Sequence, residues 1–111
     1  MKTTEKLRKN TEFKKVYAKG KSYANKELVL YKFKNNVQCN RLGISVSKKV
    51  GNSVTRSRVT RLIRENFRLN EENLVLVGFD IVIIAREASS TKNFYEIKNS
   101  LYKLLKRQGL L

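Results

Sequence analysis

The spacing of apolar residues along the chain predicts three helices. In residues 53–69 one side of the helical wheel is mainly apolar and carries Thr55, Val59, Leu62, Ile63, Asn66 and Phe67. The last helix has an apolar stripe of Phe94, Ile97, Leu101, Leu104 and Leu105. It is predicted to begin at Asn93, because Glu96 three residues on is typical of a capping box, and to end at Gly109. A shorter helix is predicted from an Asn10 cap to Gly20, with Phe13, Val16 and Tyr17 on one side.

Three other stretches have the patterns of β-strands. In residues 27–33, Leu28 and Leu30 lie on one face, and Val29, Tyr31 and Phe33 lie on the other. In residues 41–47 the inward positions are Leu42, Ile44 and Val46, and the outward positions are Gly43, Ser45 and Ser47. The small outward residues suit either a groove floor or a plain solvent face. Residues 79–86 are almost continuously β-branched, which predicts a central strand buried on both faces.

The order of these elements predicts an α/β or α+β fold in which helices pack on a small sheet. Turn residues in 34–40 favour a hairpin between the first two strands. A crossover through residues 41–86 would ordinarily be right-handed. A chain of 111 residues without a linker fits a single domain, and residues 1–9 are expected to form a loose basic arm.

The charge balance changes the picture, because 25 Lys and Arg residues oppose nine Asp and Glu, a net charge of +16. Such a surface repels itself, so a polyanionic partner is expected. Solubility alone rarely needs a net charge beyond about 8. From charge alone the partner could be RNA or DNA, but no helix-turn-helix spacing or zinc-ligand pattern supports the standard DNA-binding modules.

The residue types that are absent limit the chemistry. There is no histidine, and Cys39 is the single cysteine, so neither an intrachain disulfide nor a zinc site is expected. Cys39 is expected to be a reduced thiol in or near the core. Among the nine acids only Glu71 and Glu72 are adjacent, which makes a two-metal hydrolase hard to build. Catalysis by this chain alone is therefore not expected.

Neither export nor a membrane is predicted. No apolar stretch follows the basic opening residues, and the longest apolar run is Ile81–Ala85. The cytoplasm is the expected location. No obligate protein partner is evident from the sequence.

Basic residues concentrate in 41–68, where eight of them oppose one acid, Glu65, for a net charge of +7. They are Arg41, Lys48, Lys49, Arg56, Arg58, Arg61, Arg64 and Arg68. On the predicted helix, with Asn52 or Ser53 as its N-cap, Arg58, Arg61, Arg64 and Arg68 cluster opposite the apolar side, and Arg56 lies at the flank. Every basic residue in the helix is an arginine, whose planar fork suits phosphate. This pattern favours a polyanion-binding face over a merely solvated one.

Three aromatic residues could add a second binding element. Phe13 and Tyr17 share a helix face, and Tyr31 lies on a strand that this helix could cover. Aromatic rings beside basic groups stack unpaired bases, but they also pack cores. The sequence pattern leaves both interpretations open.

The segment RLGISVSKKVGNSVTRSRVTRLIRENF, residues 41–67, closely resembles the signature of the bacterial ribonuclease P protein family. Residues 10–31 and 79–86 resemble the parts of the family on either side of it. Two positions depart from the family pattern: Ser57 replaces the usual asparagine, and Thr60 replaces a residue that is usually basic.

This resemblance implies an α/β sandwich of two layers with about four strands and a left-handed crossover, which overrules the right-handed default and adds one strand. It also implies a subunit of an endoribonuclease that removes the 5′ leader of precursor tRNA, with Mg²⁺ held mainly by a catalytic RNA. The implied contacts with that RNA are Asn52, Arg56, Ser57, Arg58, Arg61, Arg64 and Arg68. The implied contacts with the leader are Phe13, Tyr17, Tyr31, Lys48 and Lys49. A ribosomal or other structured-RNA-binding protein is the alternative, and a self-sufficient nuclease fits neither the missing histidine nor the scattered acids.

Overall fold

The computed structural model describes residues 4–111, which form one five-stranded sheet and three α-helices. The strands are β1 (Glu5–Lys6), β2 (Lys21–Ala24), β3 (Leu28–Lys34), β4 (Arg41–Ser45) and β5 (Phe79–Ala85). The helices are α1 (Asn10–Lys19), α2 (Ser53–Asn70) and α3 (Phe94–Arg107). Two short 3-10 helices, Glu71–Asn73 and Glu87–Thr91, flank β5. No helix in this part of the chain is long and apolar enough to cross a membrane.

The strand order across the sheet is β1-β4-β5-β3-β2, so the apolar strand β5 lies at the centre, as predicted. It pairs in parallel with β4 and antiparallel with β3. The predicted hairpin through residues 34–40 is therefore wrong, because β3 and β4 lie on opposite sides of β5 and do not pair with each other. A strand that is apolar on both faces is best buried between two neighbours, and β5 separates the strands that precede it.

Both faces of the sheet are covered by helices. On one face, Leu28, Leu30, Ile81 and Ile83 join the apolar sides of α2 and α3 in the larger core cluster. On the other face, Val82 packs with Leu7 and with Val16 of α1. The predicted α+β architecture is confirmed. It has five strands where about four were expected. Helices cover both faces of the sheet, whereas a two-layer sandwich would have them on one face. The unplaced strand is β2, and the left-handed crossover stays a prediction.

The first described residues differ from the expected loose arm, of which residues 1–3 lie outside the described part. The backbone N–H of Glu5 donates to Asn40 O, and that of Leu7 donates to Leu42 O, both at 2.9 Å. Leu7 is 2% exposed. An apolar side chain between basic neighbours thus anchors this segment to the edge of β4.

A polar residue caps the start of each helix. The cap of α1 is Lys9 and not the predicted Asn10, and the backbone N–H of Lys9 donates to Glu12 Oε1 at 3.3 Å. The side chain of Asn52 caps α2 by accepting from the backbone three residues on at 2.9 Å. Asn93 and Glu96 form the predicted capping box of α3, with bonds of 3.0 and 2.9 Å.

The end of α3 also matches its prediction. Gly109 has φ +72°, its N–H donates to Lys106 O, and the N–H of Leu110 donates to Leu105 O, both at 3.0 Å. These two bonds form a Schellman motif, which favours glycine at this position.

Candidate nucleic-acid interface

The outer side of α2 presents three arginines to solvent. Val59, Leu62, Ile63, Asn66 and Phe67 are buried, as predicted, while Arg61, Arg64 and Arg68 are exposed. Within residues 4–111, none of these three arginines takes part in a salt bridge. Their guanidinium groups are therefore available to an external anion. We call these three residues the arginine face.

Arg58 differs from the predicted arrangement on the wheel. Its side chain is half-buried and donates to Lys92 O at 3.1 Å and to Ser90 O. The segment that follows β5 crosses the start of α2, and its carbonyl groups attract the guanidinium there. Arg58 thus links two elements of the fold. Ser57 is exposed and lines a shallow depression with Arg58 and Arg61.

The side chains at the start of α2 also make hydrogen bonds within the protein. Arg56 is half-buried, and its Nε donates to Gly51 O at 3.2 Å. Thr60 Oγ1 donates to Arg56 O at 2.8 Å, so this threonine uses its hydroxyl within the helix. Asn52 is exposed and uses only its side-chain oxygen for capping. The side-chain N–H groups of Asn52 take no part in this cap and can donate to another group.

Phe13, Tyr17 and Tyr31 form an aromatic cluster between α1 and the sheet. The ring centroids of Phe13 and Tyr17 are 6.3 Å apart, and those of Tyr17 and Tyr31 are 5.2 Å apart at an interplanar angle of 69°. Phe13 and Tyr31 pack against Val82 and its apolar neighbours, whereas Tyr17 is 40% exposed. The two sequence interpretations therefore apply to different rings, because two of them support the core and Tyr17 remains accessible.

The surroundings of Tyr17 change the pKa of its hydroxyl group. Burial raises the pKa of Tyr17 above its ordinary value, hydrogen bonding with Ser45 opposes that rise, and Tyr31 adds to it. Tyr17 therefore stays a neutral donor at physiological pH. An open groove of about 380 Å³ runs past it, lined by Asn10, Phe13, Lys14, Tyr17, Ile44 and Ser45. We call it the α1 cleft.

Gly43 determines how closely α1 approaches the sheet. A Cβ atom at this residue would lie 2.5 Å from Cζ of Phe13. The phenyl ring thus covers the glycine, and the backbone of Gly43 is not the open groove floor that the outward residues suggested. Ser45, two residues on, does line the α1 cleft.

A second groove joins the α1 cleft to the arginine face around the edge of β4. It has a volume of about 390 Å³ and contains Phe13 and Gly43 together with Arg64 and Arg68. Because β1 is only two residues long, it leaves the outer edge of β4 uncovered beyond Leu42. The two sets of site residues predicted separately from the sequence therefore meet along one continuous surface.

Neither Lys48 nor Lys49 lines the α1 cleft. Both are exposed in the turn between β4 and α2. Lys49 lines a separate depression with Arg86 and Glu87. The structure thus places these lysines beyond the end of the strand that carries Ser45.

An ion-pair network that the sequence patterns did not reveal holds α1 in place. Arg41 donates from Nε to Asp80 Oδ1 at 2.7 Å and from Nη2 to Oδ2 at 2.9 Å. Its Nη1 also donates to Glu12 Oε2 of α1 at 2.7 Å. These carboxylates raise the pKa of Arg41, with Asp80 as the main cause. The signal in the sequence was Asp80 itself, since an acid in a fully buried strand requires a partner.

The described residues offer few ligands for a metal ion. No group of three or more His, Cys, Asp or Glu side chains converges within residues 4–111. The carboxylates of Glu12 and Asp80 are held by Arg41. Cys39 is a free, half-buried thiol, and desolvation followed by the nearby Glu5 raises its pKa. It therefore stays protonated and unreactive at neutral pH.

Comparison with known proteins identifies relatives over the whole length of the chain. A family model described as Ribonuclease P matches residues 1–109. The ribonuclease P protein component of Clostridium novyi is 57% identical, covering 99% of this chain and 98% of that protein. The one from Clostridium botulinum strain Loch Maree is 54% identical and 95% of each chain is covered.

Solved structures agree with this comparison. The RNase P protein of Staphylococcus aureus superposes with a TM-score of 0.89 at 38% identity, covering 97% of this chain and 98% of that one. The RNase P protein from Thermotoga maritima gives 0.82 at 36% identity, with 93% and 96% covered.

The fold and the solved structures that match it define a small α+β protein of the RNase P protein type. The family match and the relatives above half identity define it further: the chain belongs to the ribonuclease P protein family. It is the protein subunit of an endoribonuclease of tRNA 5′ processing that needs divalent metal and whose catalyst is its partner RNA. The predicted function is confirmed at this level, and the ribosomal or other structured-RNA-binding alternative is not supported.

Proposed function

We propose that the arginine face binds the catalytic RNA of ribonuclease P while the α1 cleft binds the single-stranded 5′ leader of precursor tRNA. The observation that carries the proposal is the set of three exposed arginines on one helix, none of which has an acid partner within residues 4–111. The groove along β4 connects this face with the aromatic cluster. One RNA-bound protein would thus reach the leader of a substrate held by the same RNA.

On α2 the contacts are of two kinds. Arg61, Arg64 and Arg68 would bind phosphate oxygens through their planar forks, since guanidinium groups match that geometry. Arg56, Arg58 and Asn52 would donate to the RNA with the N–H groups that their internal bonds leave free, while those bonds hold the start of α2 rigid. Ser57 would supply a single hydroxyl contact.

In the α1 cleft the exposed ring of Tyr17 would stack an unpaired base, supported from behind by Phe13 and Tyr31. Its neutral hydroxyl and Ser45 provide polar contacts for the base edge. Lys14 lines the same groove and would meet a leader phosphate. Lys48 and Lys49, beyond the end of β4, would attract the more distant part of the leader.

We propose that the divalent metal is Mg²⁺ and that the RNA holds it. The donor set of this chain supports that assignment, because Arg41 neutralises the carboxylates of Glu12 and Asp80 and no group of three or more ligand side chains converges in the described residues. Mg²⁺ prefers phosphate oxygens and water in such sites. The chain's own part is to position RNA, and we place it in the cytoplasm, where bacterial tRNA is processed.

The test of the leader contact is a pair of substitutions at Tyr17. Tyr17→Leu removes the stacking ring but keeps an apolar side chain, whereas Tyr17→Phe keeps the ring and removes the hydroxyl. In the reconstituted holoenzyme, Tyr17→Leu should weaken binding of precursor tRNA by roughly 5- to 150-fold, because a lost base stack costs about 1–3 kcal/mol. Tyr17→Phe should lose far less, because it keeps the stacking ring and removes one hydrogen bond.

The readout is the ratio of precursor to mature tRNA affinity at fixed salt and Mg²⁺. Mature tRNA lacks the leader, so its binding should not respond to either substitution. Equal losses for both ligands would show that Tyr17 supports the fold or the assembly, and the leader proposal would then fail.

A further inference from the structure

A second basic and aromatic surface lies on α3 and β2 and shares no residue with the arginine face or the α1 cleft. Its six residues are Tyr23, Tyr95, Tyr102, Lys103, Lys106 and Arg107, which we call the α3 face. The helix α3 packs on β3, β2 and α2, so this surface lies at the edge of the sheet farthest from β1. The α1 cleft is on the opposite face of the sheet.

Two tyrosines of α3 point to solvent along one line of the helix. Tyr95 is 72% exposed and Tyr102 is 47% exposed. They are separated by seven residues, which is close to two helical turns, so both rings lie on the same side. The opposite side of α3 buries Ile97, Leu101 and Leu105. The core therefore does not account for either tyrosine ring.

The cations of α3 lack acidic partners. Lys98, Lys103, Lys106 and Arg107 oppose one acid, Glu96, whose carboxylate accepts from the start of the helix. Within residues 4–111 none of the four cations takes part in a salt bridge. The helix dipole favours cations in the last turn, which accounts for Lys106 and Arg107 but not for the others.

Cations and rings are already paired on this surface. Arg107 Cζ lies 4.6 Å from the ring centroid of Tyr23, Lys21 Nζ lies 5.3 Å from the same centroid, and Lys106 Nζ lies 5.9 Å from that of Tyr102. Hydrogen bonding and charge from Lys21, with a smaller contribution from Arg107, lower the pKa of Tyr23. That shift reflects a positive potential at the surface.

RNA fits this combination better than a protein does. Apart from the two tyrosines, α3 exposes no large hydrophobic residue, so a protein partner would find no apolar centre to bury. Unpaired cations bind phosphates, and exposed rings stack bases that are free of pairing. We propose that the α3 face is a second RNA-binding surface that takes a single-stranded segment, in addition to the RNA contacts of the proposed function.

The experiment counts how many single-stranded oligonucleotides the full-length protein binds. The probe is a fluorescent RNA of about 12 nucleotides without secondary structure, a length within the usual range for single-stranded sites. Wild type should bind two probes, one in the α1 cleft and one at the α3 face. Lys103→Gln/Lys106→Gln and Tyr95→Gln/Tyr102→Gln should each weaken one of the two sites by at least fivefold and leave the other unchanged.

The matched control is Lys15→Gln/Lys34→Gln, which removes the same charge from exposed lysines outside both surfaces and should keep both sites. Tyr17→Leu should weaken the other site, in the α1 cleft, so failure of the proposed function and failure of the α3 face give different results. The salt dependence provides a further check: the lysine variant should flatten the log–log slope of its site by about 1.4, from two contacts at about 0.7 each.

Two further assays identify the source of the RNA segment. Weaker assembly of the lysine variant with the catalytic RNA would assign the segment to that RNA. A selective loss of precursor tRNA binding by the holoenzyme would assign it to the substrate. A single probe bound by wild type, or two sites that persist in both α3 variants, would overturn the proposal and leave this face to a protein or to solvent.

Discussion

Gly43→Ala tests whether the contact between β4 and α1 sets the shape of the α1 cleft. The added Cβ would lie 2.5 Å from Phe13 Cζ and 2.6 Å from Phe13 Cε1. Such distances are far inside van der Waals contact, so the phenyl ring must move. The ring belongs to α1, and Tyr17 lies one turn further along the same helix.

The expected free-energy change combines two opposing effects. Overpacking of this kind costs roughly 1–3 kcal/mol. Replacing glycine within a strand gains about 0.5–1 kcal/mol by restricting the unfolded chain. The net destabilisation of Gly43→Ala should therefore be about 1 kcal/mol. In a Phe13→Leu background the clashing ring atoms are absent, and the same substitution should become neutral or stabilising.

The assay is a double-mutant cycle in urea unfolding, in which the midpoint is compared at constant m-value. In the holoenzyme, Gly43→Ala should also reduce the ratio of precursor to mature tRNA affinity, and Phe13→Leu should not restore it, since the ring itself is part of the cleft. If Gly43→Ala has the same sign and size in both backgrounds, the glycine is not there to accommodate the ring and the reasoning is refuted.

Two further predictions separate residues that stabilise the fold from those that are free to bind RNA. Arg58→Ala should lower the free energy of unfolding by about 1–3 kcal/mol, because two backbone carbonyls lose a charged donor. Arg61→Ala should leave the free energy of unfolding unchanged. Equal thermal unfolding of the two variants would contradict the assigned bonds. Arg41→Met should cost about 3–5 kcal/mol because it leaves the buried Asp80 carboxylate without a cation, with Asn35 Nδ2 as its remaining donor. The double variant Arg41→Met/Asp80→Leu should recover most of that loss, and its failure to do so in urea unfolding would mean that the ion pair is not the cause.

Periodic patterns predicted the elements whose buried side follows from the spacing of apolar residues in their own sequence. The central position of β5 followed from its continuous β-branched run, and the buried sides of α2 and α3 followed from helical spacing. The pairing partners of β3 and β4 could not be predicted in this way. Turn residues indicate that the chain reverses, but they do not indicate which strand lies beside which. The strand β2 was missed because it is four residues long and mostly exposed at the sheet edge.

For the candidate site, residue types were easier to predict than their partners. The arginines and aromatic residues were found from charge and spacing, and Arg61, Arg64 and Tyr17 are indeed accessible. The internal bonds of Arg58 reach residues 32 and 34 positions away, and those of Arg41 reach 29 and 39 positions away. Contacts across such distances depend on the complete fold and leave no local pattern.

The most direct test of the account is the salt dependence of binding between this protein and the catalytic RNA. If Arg61, Arg64 and Arg68 each neutralise a phosphate, the log–log slope of the affinity should be about −2.7, at about 0.9 per contact. Arg61→Gln/Arg64→Gln should flatten that slope by about 1.8 without changing the thermal unfolding of the protein. A nearly flat slope for wild type, or an unchanged slope for the variant, would contradict the claim that α2 binds the RNA through its arginine face.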